Sequence, residues 1–160
     1  KDELDAIAKR AATLRKNIKS ATCTVYPIHV GSQSDKQTAA QLVAMLNEAA
    51  LSKTQTSETD PALKVAGHSN EQRVLWDTAR AFRDFIRENQ PATDYAVYAD
   101  YGLSGTKVHH VHVIVCDRAG DWVLIDMQNS HHPDFERIAP KSAADCNRLV
   151  VARLKDWLSE

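Results

Sequence analysis

The sequence predicts an α/β (α+β) fold: one mixed sheet of about four to five strands with helices packed on it, in the order α-β-α-(β)-α-β-β-β-α. Three observations carry the prediction. Four stretches place apolar residues at helical spacing. Three β-branched and aromatic runs follow one another between Tyr95 and Gln128. Capping residues, glycines and prolines punctuate the boundaries.

Residues 2–19 set Leu4, Ile7, Ala11, Leu14 and Ile18 on one stripe of a helix that turns basic toward its C-terminal end, where the dipole favours cations. Interspersed Asp2, Glu3 and Asp5, and the lack of an aromatic residue, favour a solvated face over a membrane-surface helix. Residues 22–30 alternate and are rich in β-branched residues, so they read as a strand, with Pro27 marking an edge, a bulge or the strand's last half. Ser34 and Gln37 form a capping box for a helix reaching about Ala50, whose buried side is Ala39, Leu42, Val43 and Leu46. Residues 52–69 are an irregular polar connection, with a strand passing through Lys53–Thr56 or Leu63–Ala66. Ser69 and Gln72 form a second capping box, and the helix over 70–89 buries Leu75, Ala79, Phe82 and Ile86 until Pro91 stops it.

Tyr95–Tyr101 is the next strand. Val108–Cys116 then turns through Asp117-Arg118-Ala119-Gly120 into Trp122–Gln128, a sequence suited to a type I hairpin turn with a bulge. A loop holding Pro133 and Pro140 leads to Ser142, which caps a last helix burying Cys146, Leu149, Val150 and Leu154.

The 160 residues are expected to form one globular domain, with residues 1–20 as its N-terminal helix. Hydrophobic residues make up 43% and charged residues 26%, values that exclude a disordered chain or a disulfide-dense miniprotein. Twenty basic against twenty-one acidic residues leave a net charge of −1, so no basic field exists for nucleic acid. No apolar run approaches the ~20 residues of a transmembrane segment. The chain begins at Lys1 rather than Met, which suggests a removed segment such as a secretion signal or propeptide. Cys23, Cys116 and Cys146 are widely spaced, consistent with three buried apolar side chains or with one disulfide and a free thiol.

Chemistry concentrates on the hairpin. Pairing across its turn sets Cys116 opposite Trp122, Ile114 opposite Leu124, His112 opposite Asp126 and His110 opposite Gln128, give or take one residue for the bulge. His110-x-His112 sends two imidazoles the same way, a spacing that metal sites use. Asp126 is then a third ligand or an orienting partner, and His131 and His132 lie just past the strand end. These five residues define the expected site for zinc or another divalent transition metal, against the plainer reading of separate histidines on a solvated face.

The apolar residues Ile114, Trp122 and Leu124 require a cover, from the first helix or from a second subunit. Trp76, off the main helix stripe beside Arg80 and Arg83, either packs on those guanidinium groups or anchors a partner. The order helix, strand, His strand, Asp strand resembles that of transglutaminase-like cysteine enzymes. Ser69 and Asn70 stand where their nucleophile would be, so no catalytic residue is assigned. A Gly-rich phosphate loop, a G-x-S-x-G elbow and an H-E-x-x-H motif are all lacking.

Tyr26-Pro27, the helix segment Ala39–Asn47, the strand Asp94–Tyr101, the hairpin Cys116–Trp122 and the closing helix around Leu149–Leu158 together resemble the N-terminal domain of the TolB family. Curli-secretion-type lipoproteins open in a similar way. The resemblance covers residues 22–158 and is one of layout. It implies a non-catalytic binding or assembly module of an exported bacterial protein at the cell envelope, periplasmic or secreted. A protein partner or self-association would follow, with no cofactor and no functional residue carried over. The chain departs from the pattern in its N-terminal helix, its 52–69 segment and its histidines. Those histidines support the alternative reading, a metal-binding protein or metal-dependent hydrolase.

Overall fold

Pro27 divides the first predicted strand. In the computed structural model, which describes residues 1–160, β1 (Thr22–Val25) and β2 (Ile28–Val30) both run parallel to β5 (Tyr95–Ser104), Cys23 pairing with Tyr95 and His29 with Asp100. Pro27 has no N–H to give the ladder, so the strand opens there and resumes. The preceding Tyr26 N–H still donates to the Val97 carbonyl at 3.0 Å. β4 (Lys53–Thr56) lies parallel to β1 on its outer side, and β3 (Gln33–Asp35) turns back antiparallel on β2. From β5 the sheet continues antiparallel through β6 (Lys107–Asp117) to β7 (Trp122–Gln128). The mixed sheet has seven strands. Joining β1 to β2 and setting aside the three-residue β3 leaves five long-range strands, the upper figure expected from sequence.

Five helices accompany the sheet: α1 (Asp2–Lys16), α2 (Lys36–Glu48), α3 (Glu71–Glu88), α4 (Pro133–Ile138) and α5 (Ala143–Leu158). None is long and apolar enough to cross a membrane. Both predicted capping boxes move by one residue. Ser34 lies in β3 and Asp35 caps α2, accepting from the Thr38 N–H at 3.0 Å. Asn70, not Ser69, caps α3 by accepting from the Arg73 N–H at 3.3 Å. Asx side chains are as good at this task as serine, so the pattern alone does not choose between neighbours. The second shift matters, because it makes Glu71 the first residue of α3. Ser142 caps α5 as expected. The short α4 replaces a predicted loop: Pro133 opens it and Ala139, at φ 49°, ends it.

The sheet is covered on both faces. The larger core gathers α2, α5 and the Ala11 and Leu14 side of α1 over Val97, Val113 and Val115. The smaller packs Ala79, Phe82 and Ile86 of α3 against Ala96, Tyr98, Ile114, Cys116 and Trp122. Cys23, Cys116 and Cys146 are free and buried, and burial pushes each thiol up to about 12.

The hairpin register differs from expectation by one residue over most of its length. Gly120, at φ 88°, and the Gly120 N–H to Asp117 carbonyl bond close the turn. Val123 is then an extra residue: Cys116 pairs with Trp122, but Val115 pairs with Leu124, Ile114 with Ile125, Val113 with Asp126 and His112 with Met127. A one-residue slip sends every following side chain to the opposite face. Asp126 therefore leaves the histidine face for the α5 side, where Arg153 holds it at 2.9 and 3.2 Å and also reaches Asp134. Leu124 packs on the larger core, and Ile125 takes its place against the smaller one.

The expected partner surface is thereby corrected. Ile114 and Trp122 are 0% and 5% exposed, covered by α3 within the chain itself. The Trp122 indole N–H donates to the Ala79 carbonyl at 2.9 Å, and Arg83 lies 4.9 Å over its ring. Trp76 meets Trp122 edge to face at 5.5 Å. α3 covers most of this face and the N-terminal helix joins it: Ile7 of α1 packs against the smaller core and Arg10 donates to the Trp122 carbonyl at 2.7 Å.

Candidate metal centre

Where the smaller core ends, the same sheet face turns polar. The two-residue period of β6 places His110 and His112 on this face, and the ladder to β5 sets His110 beside Gly102 and His112 beside Asp100. Their imidazoles stack, with ring centroids 4.1 Å apart and planes 20° from parallel. Gly102 makes room for this. A Cβ there would lie 2.4 Å from the His110 Cε1 atom. Gly102→Ala is expected to push the His110 ring out of place, costing about 1–3 kcal/mol of stability from overpacking. Urea denaturation of the variant checks it, with a lowered midpoint expected.

Glu71 completes the centre from above. As the first residue of α3 it lies at the positive end of the helix dipole, where a carboxylate is favoured. Its Oε1 meets His112 Nε2 at 3.0 Å, and its Oε2 accepts from the Asn129 amide at 3.1 Å. His112 is fully enclosed, and its Nδ1 is buried without a hydrogen-bond partner. Burial, joined by the charge of His110, lowers the His112 pKa against the opposing pull of Glu71, a direction that favours the neutral ring. A neutral imidazole is the form that ligates a metal.

One imidazole nitrogen from each of His110 and His112 and a carboxylate oxygen of Glu71 all lie within 4.8 Å of one another. Donors around a tetrahedral ion at 2.0–2.1 Å stand about 3.4 Å apart, so the widest pair closes by at most about 1.4 Å, while Glu71 Oε1 and His112 Nε2, at 3.0 Å, need no contraction.

Behind His110 stands a carboxylate. Asp100 Oδ2 meets His110 Nε2 at 3.3 Å and its Oδ1 meets His29 Nδ1 at 3.0 Å. Burial pushes the Asp100 carboxyl up, but hydrogen bonds and charge from His110 and His29 together outweigh it and hold it well below the usual carboxylate range. The Asp100 contact also raises the His29 pKa, chiefly through their hydrogen bond. A carboxylate on the far nitrogen of a ligating histidine fixes its ring and raises its basicity.

The His29–Asp100 pair has a pH signature of known sign. With the folded pKa above the unfolded value of about 6.5, the pair's stabilisation is fully present below pH ~6.5 and is lost as pH rises through the folded value. His29 is 39% exposed, so the effect is under about 1 kcal/mol. Urea midpoints of the protein and of His29→Ala are expected to differ most near pH 6 and to converge as the pH rises through the folded value.

Of the residues expected from sequence, His110 and His112 come together here, while Asp126 lies on the other face. His131 is exposed on the turn after β7, its backbone N–H donating to the Asn129 side chain at 2.9 Å. His132 Nδ1 accepts from the Asn129 backbone N–H at 3.1 Å. Both build the turn that presents Asn129 to Glu71. Glu71, Asp100, His29 and Asn129 are the members that sequence reasoning missed. No local signal marks Glu71, which with a cap at Ser69 is simply an acidic residue of the first helical turn.

Neither a family model nor a curated protein matches this chain. Two solved structures share part of its layout. A PelC dodecamer from Paraburkholderia phytofirmans has 8% sequence identity, with 82% of this chain and 86% of that one covered at a TM-score of 0.41. Lipoprotein GNA1162 from Neisseria meningitidis has 13% identity, covering 88% of this chain and 99% of that one at a TM-score of 0.39. Likeness at this level carries no argument about what this chain binds.

Proposed function

We propose that this chain is a metal-binding module whose centre, formed by Glu71, His110 and His112, takes zinc or another divalent transition-metal ion. The observation that carries this reading is the convergence of the three donors within 4.8 Å. One further feature supports it: the Asp100 carboxylate behind His110. Imidazole and carboxylate ligands suit zinc, copper, nickel and iron and are poorly matched to calcium or magnesium. The module works by binding rather than by a thiol nucleophile, since all three cysteines are buried with pKa values near 12. Its proposed setting is an exported bacterial protein, the compartment implied by the resemblance in layout.

Equilibrium titration of untagged protein with zinc and with nickel, against a chromophoric competitor, tests the proposal. One equivalent bound at micromolar affinity or tighter, about −8 kcal/mol or better, is expected. Binding weaker than millimolar, or several weak equivalents with no saturable first one, overturns it.

A further inference from the structure

The three ligating residues are unequally exposed. His112 is sealed, while the side chains of His110 and Glu71 keep 22% and 35% of their surface in solvent. An ion held among them would be closed by protein on the His112 side and face water on the other.

The residues that could seal that side are engaged elsewhere. His132 is turned to the Asn129 backbone, His29 to Asp100, and Asp126 lies across the sheet on Arg153. Structural zinc sites are closed by four protein ligands, whereas three protein ligands leave a position for water or an exogenous group. A divalent cation with one carboxylate in direct contact also keeps net positive charge, which favours an anion there. The Asn129 amide has two hydrogens and donates one, to Glu71 Oε2. The other is left beside the carboxylate, available to an incoming oxygen.

Resting on the metal reading above, we infer that the centre is an open site whose bound ion takes a further ligand, an oxygen-donor anion of the carboxylate or hydroxamate class, on its solvent side. The anion supplies an oxygen lone pair to the ion and displaces water, with no covalent bond of the protein made or broken.

Cobalt(II) is the probe, because its visible bands respond to a change of ligand. The full chain is loaded with one equivalent of cobalt(II) and titrated with acetohydroxamate and, separately, with acetate. A saturable one-to-one spectral change with acetohydroxamate is expected, with a weaker one for acetate. The change persists in a His131→Ala variant, because that exposed ring is outside the centre and the backbone N–H that bonds Asn129 is kept. Cobalt(II) that binds stoichiometrically but ignores both anions up to tens of millimolar overturns the open site and leaves the metal reading standing. Loss of the response in the His131→Ala variant also overturns it, by moving the ion to the surface turn. Failure to bind cobalt(II), together with failure to bind zinc, overturns both readings.

Discussion

Replacing His110 with alanine is expected to weaken zinc binding by at least about 100-fold. Loss of a partner behind a ligand commonly costs 10–100-fold, and His110 is proposed as a ligand itself. Its removal leaves Glu71 and His112, whose nearest atoms already satisfy each other at 3.0 Å. Asp100 loses one of its two imidazole partners and keeps His29. Because His110 is partly exposed and lies on the rim of the smaller core, the variant is expected to fold, and its unfolding midpoint serves as the control. Asp100→Asn is expected to give a smaller loss, about 10–100-fold, because the ligand remains and only its orientation and basicity change. The ordering of these two variants, measured by the same competition titration, separates a ligand from its positioning residue. Equal affinities in both variants and the parent protein would place any bound metal elsewhere.

Trp122→Ala is expected to destabilise the protein by about 3–5 kcal/mol, the usual cost of deleting a large buried aromatic side chain. The ring is 5% exposed and packs edge to face on Trp76, with Arg83 stacked on it. Its N–H satisfies the Ala79 carbonyl inside α3, so the substitution also removes a polar tie between helix and sheet. A docking residue would behave differently: its loss would spare stability and weaken assembly. Urea denaturation of the variant, with sedimentation as a check on oligomeric state, distinguishes these roles. The fold predicts a large drop in midpoint at unchanged mass.

The contrast between Trp122 and His110 shows what the sequence encodes locally and what only the assembled sheet reveals. His110 and His112 are legible as a pair because a strand repeats every two residues, whatever it packs against. The α3 stripe of Leu75, Ala79, Phe82 and Ile86 is legible for the same kind of reason, at helical period. Register is another matter. Trp122-Val123-Leu124-Ile125 is apolar at every position, so either pairing buries four apolar side chains, and the bulge at Val123 decides which face receives Asp126. A carboxylate that looks like a metal ligand from spacing thus becomes an anchor for Arg153.

Glu71 illustrates the reverse case. It precedes His112 by 41 residues and belongs to a helix whose sequence shows only an amphipathic stripe. Its role follows from moving the cap to Asn70 and from laying α3 across β6 and β7, and neither is a property of the local sequence. The division at Pro27 is intermediate. Proline signals a break, but the continuation of the strand as β2, which brings His29 to Asp100, depends on pairing with β5.

Zinc K-edge X-ray absorption of the protein loaded with one equivalent of zinc tests the central claim most directly, because it reads the ligands themselves. Coordination by Glu71, His110 and His112 predicts two imidazole ligands and oxygen donors, with no sulfur. Three or more imidazoles would require a histidine outside this set, and a shell of oxygen alone would mean that His110 and His112 do not bind the ion. Either result would contradict the assignment.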